Sequence, residues 1–152
     1  MNALCDHTDV KAVTFVGTSR VAELLSKRCR ALNKRALCLG GAKNHLVAAP
    51  DCNIDMAAVD VVNSFAGCSG QRCMAASALL IIGKQPMLLE KIVENAKKLT
   101  LGQDHGQVGP VIDQISLEKI LKYISDAERD GAKILLDGRH LGKLQTQGYW
   151  GR

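Results

Sequence analysis

The sequence predicts an α/β protein with a mostly parallel sheet, and three observations lead to this prediction. Short runs rich in Val, Ile and Leu alternate with amphipathic stretches of helical period, which is typical of chains that wind strands and helices in turn. Gly or Pro follows most of these runs and marks a turn. Hydrophobic residues make up 47% of the 152 residues and charged residues 23%, the balance of a folded globular chain. This length corresponds to about one ordinary domain.

Five runs have the composition of strands. They cover residues 12–17, 36–39, 46–49, 77–82 and 133–136. The run 77–82 is apolar throughout, as expected of a strand that is buried on both faces. Residues 148–152 resemble the start of a further strand with nothing after it. We therefore expect the chain to be a segment of a longer α/β enzyme.

Four helices are expected between these strands. Their predicted spans are 19 to about 33, 54–65, 86 to about 99 and 116–130, with Thr18 or Ser19 capping the first of them. The apolar residues of that first helix are Val21, Leu24, Leu25 and Leu32. Pro86 suits the first turn of the third helix, and Gly131 is a natural C-cap for the fourth.

Composition excludes several classes of protein. Only five residues are aromatic, too few for the base-stacking surfaces of many nucleic-acid binders, and the formal charge of +5 is modest. The sequence contains no run of 18 apolar residues of the kind that spans a membrane. Its first residues lack the basic and apolar regions of a secretory signal. The six cysteines do not show the paired spacing of zinc sites. We therefore expect reduced, intracellular thiols, no metal, and no nucleic-acid or membrane partner.

The most informative stretch is 65–76, where a helix ends, a loop of small residues follows, and Cys73 precedes the apolar run. Gly67 and Gly70 would let the backbone approach a ligand closely, and N–H groups around Cys73 could point at an oxyanion. Arg72 beside it would favour the thiolate, which is the reactive form of the thiol. The alternative is that Cys73 is a small buried residue, as most free cysteines are.

Several motifs resemble those of the aldehyde dehydrogenase superfamily, in the same order along the chain. Gly70-Gln-Arg-Cys73 resembles its active-site cysteine signature, Phe15-Val-Gly-Thr18 its cofactor turn, and Leu39-Gly-Gly41 the Leu-Gly-Gly that follows its general-base glutamate. Gly109-Pro110 and the segment 131–138 match further parts of the catalytic domain. The resemblance covers essentially the whole chain and implies a partial aldehyde-dehydrogenase fold. Residues 1–36 would be the C-terminal part of the NAD-binding domain, and residues 37–152 a part of the catalytic domain that bears the cysteine.

Within the superfamily, the likeness is greatest to the CoA-acylating methylmalonate-semialdehyde dehydrogenases. Gly41-Ala-Lys-Asn-His45 and Gly70-Gln-Arg-Cys-Met-Ala75 resemble runs of that family, and so does Leu4-Cys-Asp-His7. Cys38 stands where hydrolytic members carry a glutamate that activates water against the thioester. An acyl-transferring enzyme needs no such base, because the thiolate of CoA is already a good nucleophile. Cys38 therefore favours thiolysis, although a defective copy would lose the glutamate too, and Cys38 could simply pack in a strand.

The resemblance implies a role for each matched residue. Cys73 is the catalytic nucleophile, while Thr18 and Gly40 bind NAD, the hydroxyl at the pyrophosphate and the glycine beside the nicotinamide. Thr18 could equally be an N-cap and Gly40 a turn glycine, and neither alternative excludes the cofactor role. Arg72 pairs with the carboxylate of the substrate, the alternative being plain solvation. His45 belongs to a family-like run and is expected to orient backbone at the active site.

Three further residues carry expectations of their own. His105 and His140 lie in loops and are expected to be solvated. Cys68, five residues before Cys73, could form a protective disulfide or resolve an oxidised nucleophile. The alternative for Cys68 is a small loop residue.

Taken together, the resemblance implies NAD-dependent, CoA-acylating oxidation of methylmalonate semialdehyde and malonate semialdehyde to propanoyl-CoA and acetyl-CoA, through a cysteine thioester. NAD is the expected cofactor, CoA the co-substrate and a small-molecule semialdehyde the substrate, and the full-length family is expected to form homo-oligomers. The expected location is the cytoplasm of a bacterium or the mitochondrial matrix of a eukaryote. The competing interpretation is a catalytically incomplete remnant that acts, if at all, as a structural or interaction fragment.

Overall fold

The computed structural model describes residues 2–102, 104 and 107–139. Over this part of the chain, helices alternate with parallel strands, which confirms the predicted α/β class. The chain divides into two compact units, Met1–Lys43 and Asn44–Arg152. The predicted boundary between functional domains after residue 36 stays a prediction. The predicted strand start at 148–152 and the predicted solvation of His105 and His140 lie outside the described residues.

The first unit contains two parallel strands joined by a helix. Its elements are α1 (Asn2–Asp6), β1 (Ala12–Val16), α2 (Ser19–Ala31) and β2 (Arg35–Leu39). The strands pair in register from Ala12 with Arg35 to Val16 with Leu39. The helix α2 ends where Asn33 takes a left-handed backbone (φ 53°), and the N–H of Lys34 then donates to the carbonyl of Cys29 at 2.8 Å. This pattern satisfies carbonyls at the helix end that have no partner within the helix.

Thiols and aliphatic side chains form the core of the first unit. Cys5, Leu25 and Cys29 are fully buried, and half-buried residues of the sheet pack against them. Leu24 was predicted on the apolar side of α2 but is 59% exposed, because Ala22, Leu25 and Cys29 form the buried side instead. The other face of the sheet is open. Its exposed apolar residues are Val16, Leu37 and Leu39.

The helix α1 was not predicted from the sequence. Arg28 fixes it by donating from Nε to Asp6 Oδ1 at 2.8 Å, with a second bond from Nη2 to Oδ2. Lys34 Nζ donates to the carbonyls of Cys5 at 2.5 Å and His7 at 2.6 Å. The partners that stabilise this short helix therefore lie more than twenty residues away in the chain, where no local pattern records them.

The second unit also pairs two parallel strands around a helix and adds two further helices. Its elements are β3 (Asn44–Ala48), α3 (Ile54–Ala66), a short 3₁₀ turn (Gly67–Gly70), β4 (Ala76–Ile81), α4 (Pro86–Lys97) and α5 (Gln114–Arg129). The strands β3 and β4 pair in parallel, with a register shift between Asn44 and His45. All four helices predicted from the sequence are confirmed, and each predicted end lies within about two residues of the observed end.

Side-chain caps set the helix ends of this unit. Asn53 Oδ1 accepts from the N–H of Met56 at 3.1 Å and begins α3. Asp113 Oδ1 accepts from the N–H of Ser116 at 2.7 Å, and these Ser116 hydrogen bonds lower the pKa of the Asp113 carboxyl. The predicted start at residue 116 was therefore late, because Asp113 is the cap. Gly131 takes a left-handed backbone (φ 94°) directly after α5, which confirms its predicted place at the helix end.

The core of the second unit lies between its sheet and the helices α3 and α4. Ala48, Ala58 and Leu88 are buried there. The expectation that 77–82 is buried on both faces was wrong, because Leu80 and its register partner Val47 are 52% and 61% exposed on the side away from α3. The predicted strand at 133–136 was also wrong, since those residues form bends and irregular backbone. Strand composition alone supplies no neighbour to pair with.

Candidate active site

Residues 67–75, which we call the nucleophile loop, connect α3 to β4 and carry Cys73. Three successive residues after Gly67 have a left-handed backbone: Cys68, Ser69 and Gly70, at φ 53°, 54° and 72°. A left-handed backbone costs a non-glycine residue roughly 1–2 kcal/mol. Cys68 and Ser69 must therefore be held in place by their surroundings.

Cys73 sits on a tight turn directly before β4. The N–H of Ala75 donates to the carbonyl of Arg72 at 3.1 Å, which makes Cys73 and Met74 the central residues of the turn. Both side chains are exposed, so Cys73 is not the buried packing residue of the alternative interpretation. Cys73 lines an open cleft of about 570 Å³ that is also lined by Asp60, Asn63, Ser64, Arg72 and Met74. A ligand in that cleft would lie beside Cys73.

Arg72 has a contact that the sequence reasoning missed. Its Nη2 donates to the carbonyls of Asn63 at 2.7 Å and Ser64 at 3.2 Å, in the last turn of α3. The final carbonyls of a helix have no partner within it and carry partial negative charge, so a guanidinium there stabilises the helix end. A Cβ on Gly67 would overlap this guanidinium. The glycine that was expected to admit a ligand therefore makes room for Arg72.

A second segment, 109–112, is attached to the nucleophile loop. Gln71 Nε2 donates to the carbonyls of Cys68 at 3.0 Å and Pro110 at 3.1 Å, and its Oε1 accepts from the N–H of Ile112 at 2.8 Å. The hydroxyl of Ser69 also donates to the carbonyl of Gly109. The structure thus brings together two motifs that are about forty residues apart, Gly-Gln-Arg-Cys and Gly-Pro.

Asn44 also contacts the turn. Its Nδ2 donates to the carbonyls of Cys73 at 2.8 Å and Ala75 at 3.1 Å. His45, which the sequence singled out for orienting backbone, is exposed on β3. The parallel pairing of β3 and β4 was the signal that could have found Asn44, because it places the first residue of β3 opposite Ala76.

In the first unit, the predicted cofactor residues lie where β1 and β2 end. Thr18 is the N-cap residue of α2, but its side chain makes no capping hydrogen bond, contrary to the expected N-cap role of its hydroxyl. Gly40 lies against Ser19, since a Cβ on Gly40 would be 2.7 Å from Ser19 Oγ and 2.9 Å from its Cα. The N–H of Gly41 donates to Ser19 Oγ at 3.0 Å. We call residues 39–41 the Gly40 turn.

An open cleft of about 560 Å³ borders the Gly40 turn. Ser19, Gly40 and Gly41 line it together with two basic residues of α2, Lys27 and Arg30. Glu23 also lines it, and its carboxylate pairs with Lys27, so Arg30 is the basic side chain left for an anion. The first turn of α2 contains no acidic residue. Backbone N–H groups of a helix start, hydroxyls and basic side chains are the donors that an anionic group such as a pyrophosphate requires.

All six cysteines are free thiols in this structure, so Cys68 forms no disulfide with Cys73. Cys38 is half-buried in β2 and packs against the core of the first unit, while it also lines the cleft beside Gly40. Burial raises the pKa of the Cys29 thiol, and the neighbouring Cys5 raises it further. The exposed thiols of the nucleophile loop thus contrast with the buried thiols of the first core.

The family of the chain follows from its match to known proteins. The model of the aldehyde dehydrogenase family matches residues 1–151. The chain therefore belongs to the aldehyde dehydrogenase family, as its motifs predicted. Among the residues that the structure describes, no helix is both long and apolar enough to cross a membrane.

The relatives that the chain matches include semialdehyde dehydrogenases. The chain is 38% identical over 154 residues to malonate-semialdehyde dehydrogenase 2 of Geobacillus thermodenitrificans, covering 99% of this chain and 32% of that protein. It is 37% identical over 152 residues to the acylating, mitochondrial methylmalonate-semialdehyde/malonate-semialdehyde dehydrogenase of Homo sapiens, covering 98% of this chain and 28% of the human protein. The chain thus spans about a third of the length of the curated relatives that it matches.

A solved structure shows the same fold. A protein of Sinorhizobium meliloti 1021, assigned to the methylmalonate-semialdehyde dehydrogenases and complexed with NAD, superposes with a TM-score of 0.87 at 35% identity. The match covers 98% of this chain and 31% of that one. The fold of the described residues is therefore a part of the aldehyde dehydrogenase fold.

Proposed function

We propose that the chain carries the nucleophile and part of the NAD site of an enzyme that oxidises methylmalonate semialdehyde and malonate semialdehyde, with CoA as acyl acceptor. The observation that carries this proposal is the exposed Cys73 on a side-chain-braced turn, within the Gly-Gln-Arg-Cys motif and in an open cleft. The names of the relatives support the substrate class. As in the full-length family, we expect the whole protein to be a homo-oligomer, cytoplasmic in a bacterium or in the mitochondrial matrix of a eukaryote.

Cys73 performs the covalent chemistry of this proposal. Its thiolate attacks the aldehyde carbon and forms a C–S bond, and the carbonyl oxygen becomes an oxyanion that N–H groups of the loop can stabilise. The hydride of that carbon is transferred to NAD, which leaves an acyl thioester on Cys73. The thiolate of CoA then attacks the acyl carbon, the Cys73–acyl bond breaks, and Cys73 returns as a thiolate. Before CoA attacks, the C–C bond to the carboxylate breaks in the acyl thioester, carbon dioxide leaves, and a proton from water is added to the carbon that carried the carboxylate. This accounts for propanoyl-CoA and acetyl-CoA as products.

Arg72 is proposed to hold the carboxylate of the substrate. Within the described residues, both of its backbone contacts are made by Nη2, and Arg72 lines the same cleft as Cys73. The hydrogens on Nε and Nη1 are not used in those two contacts. A guanidinium can bind a carboxylate with two parallel hydrogen bonds. The contacts to α3 would hold the guanidinium in position for that pairing.

Thr18 and Gly40 are proposed to hold NAD, which supplies the hydride acceptor when bound. The hydroxyl of Thr18 makes no capping hydrogen bond, and the first turn of α2 contains no acidic residue. Both features fit the binding of a pyrophosphate. Gly40 presents backbone without a side chain, although the contact with Ser19 already requires a glycine there. The donor set of the first unit therefore fits the cofactor.

Cys38 supports acyl transfer to CoA over hydrolysis. The position that bears the general base in hydrolytic relatives holds a thiol here, and this thiol packs against Cys5, Leu25 and Cys29. No carboxylate is therefore present at this position to take a proton from water. The thioester would then wait for a nucleophile that needs no activation.

The decisive experiment is the reverse of the last step, which requires neither NAD nor hydride transfer. The chain is incubated with propanoyl-CoA at neutral pH, and the modified peptides are mapped by mass spectrometry. We expect a propanoyl group on Cys73 and none at that position in Cys73→Ala. Limited iodoacetamide treatment should likewise label Cys73 ahead of the other five thiols. Acylation or labelling of Cys52 or Cys29 with Cys73 spared would refute the nucleophile assignment and favour the catalytically incomplete remnant.

A further inference from the structure

One side-chain amide braces the turn that carries Cys73 from outside the nucleophile loop. An asparagine Nδ2 has two hydrogens, and Asn44 directs this nitrogen at two carbonyls, those of Cys73 and Ala75. Asn44 is itself fixed, because it is the first residue of β3 and pairs in the sheet with Ala76. The anchor therefore belongs to the sheet of the second unit rather than to the loop.

These two contacts determine how the turn presents its N–H groups. A peptide unit is planar and trans, so the carbonyl of Cys73 and the N–H of Met74 point in opposite directions. Holding that carbonyl on Asn44 aims the Met74 N–H away from the amide. The second contact fixes the carbonyl of Ala75 and so prevents the turn from rotating as a whole. N–H groups held in one orientation can stabilise a thiolate or an oxyanion at Cys73, whereas a mobile turn would present them only part of the time.

We propose that Asn44 is a positioning residue for the reaction at Cys73, acting through the peptide unit that joins Cys73 to Met74. The inference rests on the proposed function of Cys73 as nucleophile. Neighbouring groups do not duplicate the role. Gln71 holds the carbonyl of Cys68 at the other end of the loop, and Arg72 holds the end of α3.

The test compares the labelling rate of Cys73 with that of Cys68 in the same molecule, using iodoacetamide at neutral pH and peptide mapping. Cys68 is a suitable reference because it is exposed in the same loop but its carbonyl is held by Gln71. Asn44→Asp has the same shape as the native residue and loses both donors, so the Cys73-to-Cys68 ratio should fall about tenfold, as expected for one to two lost hydrogen bonds. Asn44→Gln keeps the amide and should restore the ratio to within about threefold of the native value.

Asn53→Asp is the matched control. It makes the same substitution in the same unit, but aspartate caps a helix as well as asparagine does, so α3 keeps its start and the ratio should not change. A merely structural role for Asn44 would loosen the whole unit, including its half-buried parts. The half-buried Cys52 reports this directly, and it should stay as slow to label in Asn44→Asp as in the native chain.

The outcomes separate the two proposals. Absence of a Cys73 preference in the native chain defeats the proposed function. A native preference that Asn44→Asp retains leaves that function standing and overturns the role of Asn44. If Asn44→Asp exposes Cys52, the uncharged Asn44→Ala replaces it, and loss of the Cys73 preference with Cys52 still protected supports the proposal. Exposure of Cys52 in both variants would make Asn44 a structural residue and would also overturn it.

Discussion

The Gly40 turn of the first unit and the nucleophile loop of the second both contain glycines that the sequence suggested for ligand contact. Different interactions stabilise the two segments. The Gly40 turn is held by contact, because Gly40 lies so close to Ser19 that no side chain fits between them. The nucleophile loop is held by donors, since Asn44, Gln71 and Arg72 each place an amide or guanidinium on backbone carbonyls. A turn of the first kind is damaged by adding atoms, and a loop of the second kind by removing hydrogen-bond donors.

The largest effect is expected at Gly40. Gly40→Ala places a methyl group 2.9 Å from the Cα of Ser19, and backbone cannot move aside as cheaply as a side chain. We expect a loss of about 1–3 kcal/mol in the free energy of unfolding of the first unit. Urea unfolding, followed through alkylation of the buried Cys29, measures this. Gly41→Ala is the matched control, because its Cβ would lie 3.5 Å from Ser19 Oγ and should cost under about 0.5 kcal/mol. Equal midpoints for the two variants would contradict the contact argument.

In the nucleophile loop, loss of donors should act without any added bulk. Gln71→Glu keeps an acceptor for the N–H of Ile112 but loses both donors to Cys68 and Pro110. The free energy needed to open the loop should fall by about 1–2 kcal/mol. Trypsin should therefore cleave after Arg72 roughly tenfold faster. Cleavage after Lys84, between β4 and α4, should keep its native rate and serves as the internal control. An unchanged rate at Arg72 would show that Gln71 does not brace the loop.

Gly67 lies in the nucleophile loop but is also in close contact with a neighbouring group, here the flexible side chain of Arg72 rather than backbone. A methyl group there overlaps the end of the Arg72 side chain, which can swing away, so Gly67→Ala should cost only about 0.5–1.5 kcal/mol through the lost contacts to α3. Adding Gly67→Ala to Arg72→Leu should then cost almost nothing further, because both changes remove the same interaction. Urea unfolding of the single and double variants measures the coupling, and simple additivity would rule out this explanation of Gly67.

The smallest expected effect concerns the buried thiols of the first unit. Burial raises the pKa of Cys29, so the folded chain keeps its proton where the unfolded chain loses it. The corresponding stability is fully present below the ordinary thiol pKa of about 8.5 and is lost as the pH rises through the raised value. Melting temperatures between about pH 7 and 10 should therefore fall more steeply for the native chain than for Cys29→Ala. Parallel curves would show that Cys29 does not titrate with unfolding.

Local signals in the sequence predicted most of the fold. Pro86 and Gly131 mark helix ends through restrictions on their own backbone, which operate whatever surrounds them. The helix α1 was not predicted, because its partners, Arg28 and Lys34, are distant in the chain. The predicted strand at 133–136 failed for the related reason that a strand requires a neighbour.

The candidate site was predictable in identity more than in arrangement. Motif and loop composition singled out Cys73, and the structure exposes it. Adjacency along the chain suggested that Arg72 serves the thiol, but its guanidinium reaches back to α3. The sequence indicated Asn44 only as part of a motif and predicted no contact for it, because its contacts depend on the pairing of β3 with β4. Side chains that act across a sheet leave no periodic trace in the sequence.

The groups that accept hydrogen bonds in the nucleophile loop have a consequence for how the sequence can vary. The acceptors that Asn44, Gln71 and Arg72 engage are main-chain carbonyls, which every amino acid possesses. Residues that contribute only such carbonyls, for example Cys68, Ala75 and Pro110, can in principle be exchanged without dismantling the frame. Sequence variation should thus be tolerated at the accepting positions and restricted at the donors. A library covering residue 44, the loop and residue 110 should tolerate many residues at the accepting positions and few at Asn44, Ser69, Gln71 and Arg72.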